Sequence, residues 1–221
     1  MKFGAVLWDL DGTLVDSAAG ITAAVQGAAA ALKLPEPTAE RVRASVGDGV
    51  HNLLLRCFPD LAKGRTPAGC DLNAVLAVYD REYERSAGAL TRAYAGIAEL
   101  LAALPRERCA LISNKAEAHC RRILDALQLT QHFACISGGD THAERKPSAL
   151  PLLAACKALG VAPADAIMVG DGPQDLRAAR NAQVRSCAVL WGFGSESALR
   201  AMNPDFVARD VSALREHLGI A

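Results

Sequence analysis

The chain has no excess of charge of either sign: 24 lysines and arginines face 24 aspartates and glutamates. A bulk binder of nucleic acid or of a membrane surface needs a basic surplus, so neither is expected as a partner. A small anionic ligand stays open, because a site needs only local charge. No C-x-x-C pair occurs, and the cysteines number seven, an odd count. Several sit in apolar runs, Cys109 in Arg-Cys-Ala-Leu-Ile among them. That pattern argues against a disulfide framework or a zinc site and for buried free thiols. No apolar stretch reaches membrane-spanning length, since Gln26 and Lys33 interrupt the alanine-rich segment. Ahead of Asp9 stand only Lys2 and a short apolar run, too little for a signal peptide. A cytoplasmic location is expected. There is no internal repeat.

What the chain does have is apolar mass. Its 221 residues are 51% hydrophobic, enough for one large domain, or for one domain with a smaller insert. Phe3 to Trp8 is apolar and stops abruptly at Asp9-Leu10-Asp11-Gly12-Thr13. A short apolar run with sharp polar punctuation reads as a buried parallel strand opening into a loop. The same unit recurs. Cys109–Ile112 runs into Ser113-Asn114-Lys115, and Phe133–Ile136 into Ser137-Gly138-Gly139-Asp140. Ala166–Val169 runs into Gly170-Asp171-Gly172, and Ser186–Leu190 into Trp191-Gly192. Helical patterns over roughly 116–127, 148–159 and 173–182 separate them. Strand alternating with helix means an α/β fold, a doubly wound (Rossmann-like) parallel sheet.

The segment from 17 to 90 reads differently. Pro35, Pro37, Gly47, Gly49, Pro59, Gly64 and Pro67 mark its turns, and the stretches between them read as helices. It is expected to be a helical insert after the first strand, leaving 1–16 and 91–221 as the core domain. Its charges balance, eight basic against eight acidic from Ser17 to Leu90, so it offers no long-range steering.

Open α/β sheets bind ligands outside the carboxyl ends of their strands. Asp9, Asp11, Ser113, Asn114, Asp171 and Asp175 all fall at or just after such ends, and Lys146 lies in the loop after the third strand unit. They converge only if the sheet is parallel. Four carboxylates against one lysine give a formal local charge of −3, which cannot stay dry and ionised without a cation. Oxygen donors of this kind suit a hard ion, and Mg²⁺ takes few protein carboxylates plus substrate phosphate. Phosphate oxygens could then meet Lys146, the Ser113 hydroxyl and nearby backbone N–H groups, with Gly12-Thr13 allowing a close backbone approach.

Each feature alone has a plainer reading. D-x-D-G at a strand end is ordinary turn chemistry. Ser113-Asn114 could cap a helix, Lys146 could be a solvated loop lysine, and Asp175 a first-turn charge favourable to the helix dipole. Gly47-Asp48-Gly49 is either a bare turn or lies near the substrate; His51 reads as a helix-face histidine, Arg92 and Tyr94 as substrate contacts or hinge residues, and Lys115 as a residue of the site mouth or a solvated lysine. Trp8 and Trp191 read as core or sheet-edge aromatics.

Taken together, the motifs resemble those of the haloacid dehalogenase superfamily of phosphatases. Asp9-Leu10-Asp11-Gly12-Thr13 is similar to its first motif, Ser113-Asn114 to its second, Lys146-Pro147 to its third and Gly170-Asp171-x-x-x-Asp175 to its fourth. Order and spacing agree, and the 17–90 insert sits where that family carries its type-one cap. Within the superfamily the likeness is to phosphoglycolate phosphatases, carried by Val46-Gly47-Asp48-Gly49, Ser113-Asn114-Lys115, Ser137-Gly138-Gly139-Asp140, Val169-Gly170-Asp171 and Trp191-Gly192-Phe193-Gly194. The resemblance implies roles. Asp9 would be the nucleophile, forming an aspartyl-phosphate, and Asp11 the general acid and base. Asp9, the backbone carbonyl of Asp11 and Asp171 would hold Mg²⁺, with Asp175 supporting them. Ser113 and Lys146 would stabilise the transferring phosphoryl group, aided by Asn114, Gly12 and Thr13. The implied partner is a small-molecule phosphate ester, with 2-phosphoglycolate leading, and the implied assembly a monomer or homodimer. A sugar phosphate or pyrophosphate is the alternative substrate; a phospho-accepting signalling receiver is the alternative outside enzymes. Two departures stand out: Gly172 replaces a common Ser or Thr, and Tyr94-Ala95-Gly96 lacks a common proline.

Overall fold

The structure is a computed structural model that describes residues 1–64, 66 and 70–220, and of residues 87 and 88 the backbone alone. Pro67, read as a turn marker, lies outside the described residues. The elements, in chain order, begin with β1 (Ala5–Trp8), β2 (Val15–Asp16), α1 (Ala18–Leu32), α2 (Ala39–Ser45), α3 (Val50–Cys57), α4 (Leu72–Leu90) and β3 (Arg92–Ala93). They continue with α5 (Ile97–Ala102), β4 (Cys109–Ile112), α6 (Glu117–Ala126), β5 (Cys135–Ser137), α7 (Leu150–Leu159) and β6 (Ala166–Gly170). The last are α8 (Pro173–Ala182), β7 (Arg185–Val189), α9 (Glu196–Ala201), β8 (Phe206–Ala208) and α10 (Val211–His217). The chain divides into two compact units, Met1–Asp16 with Ala93–Ala221, and Ser17–Arg92.

The first unit holds a six-stranded sheet in the order β5-β4-β1-β6-β7-β8, with every neighbouring pair parallel. β1 therefore lies at the centre, in register with β4 (Trp8 opposite Leu111) and with β6 (Trp8 opposite Val169). Residues along β1, β4 and β6 are fully buried, as strands covered on both faces must be. On one face Ala5, Leu7, Ala110, Ile112, Ala166 and Met168 pack against Leu152, Ala155 and Cys156 of α7 and Ala178, Ala179 and Ala182 of α8. The alternate residues Val6, Trp8, Leu111, Ile167 and Val169 are equally buried on the other face.

The second unit is helical. Alanine and glycine let α1 and α4 pack closely: a methyl group on Gly27 would lie 3.0 Å from Glu82 Cγ, and Ser86 Oγ donates to the Gly20 carbonyl at 3.2 Å. The helices carry their own stops. Thr38 accepts from Arg41 N at 3.2 Å to open α2, Asp71 accepts from Ala74 N at 2.8 Å ahead of α4, and Lys33 closes α1 in a left-handed conformation.

Strand ends differ from the sequence expectation by a residue or two. Phe3 stays outside β1, with its ring 5.6 Å from that of His217, and Phe133 follows a 3₁₀ turn rather than opening β5. β8 has no counterpart in the expected strands. It is a three-residue edge strand following Pro204 and Asp205, too short for an apolar run to reveal it.

Leu7 is central in this core and Leu153 on α7 is 42% exposed. Leu7→Ala is expected to cost about 3 kcal/mol and to lower Tm by on the order of 5–10 °C, whereas Leu153→Ala is expected to leave it nearly unchanged. Thermal denaturation of both variants checks this; equal shifts would contradict the assignment of the core.

Candidate active site

Asp9 continues β1 beyond its last sheet residue, its N–H donating to the Val169 carbonyl at 2.9 Å. The chain then turns back at once: Gly12 N donates to Val15 O at 2.8 Å and Leu14 N to Leu10 O at 3.0 Å. Gly12 has φ +89°, and a Cβ there would overlap the Asp171 carboxylate. Only glycine meets both conditions. Thr13, wholly buried, donates its hydroxyl to Asp171 Oδ1 at 3.2 Å.

Asp171 follows β6, next to β1 in the sheet. Gly170 makes room for Asp175, because a Cβ at 170 would overlap the Asp175 side chain. Asp175 sits in the first turn of α8 and is fully buried; its Oδ2 accepts from Gly172 N at 3.0 Å and Gln174 Nε2 at 3.3 Å. This caps the helix start with a carboxylate, favourable to the helix dipole. Gly172 donates this bond through its backbone, so replacing the common Ser or Thr leaves the cap intact.

Lys146 joins these segments. Its Nζ lies 2.7 Å from Asp9 Oδ1, 2.6 Å from Asp175 Oδ1 and 2.6 Å from the carbonyl oxygen of Ile112 at the end of β4. The Asp175 contact is an ion pair rather than a well-directed hydrogen bond. Burial alone would lower the Lys146 pKa, but the Asp175 and Asp9 charges outweigh it and hold the ammonium well above the usual lysine range. Lys146 therefore stays charged. Asn114 Nδ2 donates to the Lys146 carbonyl at 2.9 Å, fixing the loop that carries it. Glycine at 139 lets that loop pass Asn114, since a Cβ there would overlap the Asn114 carbonyl. Ser113, buried beside it, accepts from Lys115 N at 3.2 Å.

Carboxylate oxygens of Asp9, Asp171 and Asp175 lie within 4.8 Å of one another. Burial pushes the Asp9 carboxyl well above the carboxylate range, with Asp175 and Asp171 adding to the rise and Lys146 opposing it. Asp171 is pushed up to about 7, first by burial and then by Asp175, against the Phe193 N–H and Thr13 hydroxyl bonds. Three buried carboxylates thus share one ammonium and are short of positive charge. An all-oxygen donor set in deficit of charge fits a hard divalent cation.

Of the residues expected at the site, Asp9, Asp171, Asp175 and Lys146 meet directly, and Asn114, Gly12 and Thr13 brace them. Asp11 does not send its carboxylate into the cluster. Its Oδ2 pairs with Lys115 Nζ at 2.8 Å, both side chains being about nine-tenths buried. The count of one lysine against four carboxylates therefore becomes two, and the local charge −2 rather than −3. Trp191 belongs to the site's surroundings: its indole N–H donates to the Thr13 carbonyl at 3.0 Å. Spacing along the chain carries no sign of either link; only the paired glycines around Phe193 hint at a close approach. Gly47-Asp48-Gly49 lies in the helical unit, where Arg56 pairs with Asp48 and Asn52 Nδ2 donates to the Asp48 carbonyl at 3.1 Å. His51 is exposed, and Arg92 donates to the neighbouring Thr91 carbonyl at 2.8 Å.

The chain has known relatives in sequence and in fold. The sequence profile of the haloacid dehalogenase-like hydrolases matches residues 6–189, and the chain belongs to that family. It is an enzyme of the phosphatase type. Phosphoglycolate phosphatase 1 of Pseudomonas aeruginosa is 37% identical over 190 residues, covering 85% of this chain and 70% of that protein. The phosphoglycolate phosphatase of Chromobacterium violaceum is 37% identical over 199 residues, 89% of either chain. In fold, a crystal structure titled a predicted phosphoglycolate phosphatase from Haemophilus somnus superposes with a TM-score of 0.91 at 23% identity, over 99% of each chain. No helix among the described residues is long and apolar enough to cross a membrane.

The Asp171 pKa gives a pH test. A carboxyl raised from 3.8 to about 7 stabilises the cation-free fold fully below pH 3.8 and loses that contribution as pH rises toward 7. Above 7 it is ionised and accepts a cation without releasing a proton. Millimolar Mg²⁺ is expected to raise Tm more at pH 8 than at pH 6. Differential scanning fluorimetry checks this, and an equal or reversed difference would contradict it.

Proposed function

We propose that the protein is a Mg²⁺-dependent phosphomonoesterase that works through an aspartyl-phosphate on Asp9, with 2-phosphoglycolate as its leading substrate. The observation that carries this reading is the meeting of Asp9, Lys146, Asp171 and Asp175, from separate chain segments, at the carboxyl ends of parallel strands. The substrate follows from likeness to phosphoglycolate phosphatases.

Asp9 and Asp171, with the carbonyl of Asp11, would hold Mg²⁺, and Asp175 supports the group. When bound, the ion supplies positive charge that offsets the carboxylates and the phosphoryl oxygens. Lys146 holds one Asp9 oxygen, which leaves the other for attack on phosphorus. An O–P bond forms to Asp9 as the ester P–O bond breaks, and Asp11, which takes up a proton from solvent as the ester binds and its pair with Lys115 opens, gives that proton to the departing alcohol oxygen. Asp11 then takes a proton from water, whose oxygen attacks the acyl-phosphate and releases inorganic phosphate and Asp9. Lys146 and Ser113 offset charge on the phosphoryl oxygens, the main source of acceleration in such transfers. Pairing with Lys115 keeps Asp11 apart from the cation cluster, so neighbouring carboxylates can serve different roles.

The helical segment 17–90 is assigned the cap role, selecting the alcohol portion, and residues 1–16 with 91–221 the catalytic role. The enzyme acts in the cytoplasm. All seven cysteines are free thiols, and burial pushes Cys109 up to about 11 and both Cys120 and Cys187 up to about 12, suited to a reducing compartment.

Asp9→Asn is expected to abolish turnover. Asp11→Asn is expected to lower kcat/KM on 2-phosphoglycolate, which reports the first transfer and not the shared hydrolysis of the aspartyl-phosphate, by roughly 10²–10⁴-fold. The loss should be much smaller on p-nitrophenyl phosphate, whose leaving group needs little protonation. Steady-state kinetics on both esters check this. Turnover by Asp9→Asn would sink the nucleophile assignment, and equal losses on the two esters would sink the acid assignment. A kinetic panel of 2-phosphoglycolate, sugar phosphates and pyrophosphate tests the substrate, with the highest kcat/KM expected for the first.

A further inference from the structure

The loop Trp191-Gly192-Phe193-Gly194 follows β7 and belongs to none of the four motifs, yet it lies directly on the carboxylate cluster. The Phe193 N–H donates to Asp171 Oδ2 at 2.6 Å. The Trp191 indole N–H donates to the Thr13 carbonyl at 3.0 Å. A Cβ on Gly192 would overlap the Asp171 side chain and the Gly12 carbonyl, and one on Gly194 would overlap the Asp171 carbonyl. Neither glycine has a positive φ, so what they provide is room for the approach.

We propose that Trp191 is a positioning residue for the cation-binding carboxylate of Asp171, acting through Thr13. The inference rests on the cation site proposed above. Both Asp171 oxygens have a protein donor: Thr13 Oγ1 on Oδ1 at 3.2 Å and Phe193 N on Oδ2 at 2.6 Å. The two donors come from different loops and together fix the plane of the carboxylate. A cation can use only the lone pairs that this plane presents, so a small rotation of Asp171 removes a ligand. The Thr13 hydroxyl stays on Asp171 only while the Thr13 peptide is held. Within the turn, the Thr13 N–H reaches the Leu10 carbonyl at a long 3.3 Å and the Leu14 N–H, in the same peptide as the Thr13 carbonyl, reaches it at 3.0 Å; from outside the turn, the indole holds the Thr13 carbonyl at 3.0 Å. The indole, whose bond is as short as the Leu14 bond, is the tether that ties this peptide to the β7 loop. It is itself held: its ring meets Tyr94 edge-on, with centroids 6.4 Å apart and planes at 65°, and Tyr94 N donates to Leu14 O at 3.1 Å. Trp191, Thr13 and Asp171 thus form one chain of contacts from the β7 loop to the cluster.

Outer partners of metal ligands typically contribute about tenfold or more to metal affinity. Trp191→Phe keeps an aromatic ring and loses the N–H; Thr13→Val keeps the shape and loses the hydroxyl. Mn²⁺, a hard cation with the same donor preference, is titrated into the metal-free full-length protein, and free Mn²⁺ is read by electron paramagnetic resonance. Each variant is expected to bind Mn²⁺ roughly tenfold more weakly than wild type, and the double variant no more weakly than the weaker single one, because both changes break the same chain. Wild-type affinity in Trp191→Phe, or two losses that multiply to roughly a hundredfold, would overturn the proposal. Should Trp191→Phe not fold, Thr13→Val tests the link from its other end, and wild-type affinity there overturns it equally. Asp171→Asn separates the two levels. Undiminished Mn²⁺ binding in that variant would overturn the cation site itself, and the role of Trp191 with it.

Discussion

The ammonium group of Lys146 sits almost without solvent between Asp9 and Asp175, with the Ile112 carbonyl as its third partner. A buried cation cannot rely on water, and buried carboxylates cannot rely on water either; each requires the other. Removing one partner of such a group typically costs about 3–5 kcal/mol, because the remaining charge is stranded. The three contacts come from β1, β4 and the helix after β6, and β4-β1-β6 are neighbours in the sheet. The order of strands therefore decides that the lysine can reach all of them, and the lysine in turn fixes where the strand ends place their acids.

The cluster depends just as much on the absence of side chains. Gly12, Gly170, Gly192 and Gly194 all lie where a Cβ would overlap Asp171, Asp175 or the backbone beside them. Only Gly12 among these also needs a left-handed φ. The others are closeness requirements. They let backbone segments from three loops pack around two carboxylates tightly enough to set their rotamers, which is the preorganisation that phosphoryl transfer demands. The electrostatic deficit left by Asp9, Asp171 and Asp175 fits a divalent cation.

Much of this was legible in the chain itself. Short apolar runs ending at Asp9, Ser113 and Asp171 mark parallel strands, and parallel strands imply one shared edge for their polar ends. Lys146 was harder, because only its order among the motifs distinguishes it from any loop lysine. The pairing of Asp11 with Lys115 and the bond from Trp191 to Thr13 were not legible. They join residues about 100 and 180 positions apart through loop conformation, and neither hydrophobic period nor local spacing encodes that. β8 was missed for a related reason: a three-residue edge strand is stabilised by its neighbour β7 rather than by a pattern of its own.

In the proposed mechanism Asp9 is the covalent acceptor of the phosphoryl group. The direct measurement is a rapid acid quench during turnover of a radiolabelled phosphomonoester, followed by peptide mapping of the labelled protein. An acid-stable, hydroxylamine-sensitive label on the peptide containing Asp9, absent in Asp9→Asn, is the predicted result. Turnover with no label on that peptide, or with label on another residue, would contradict the account.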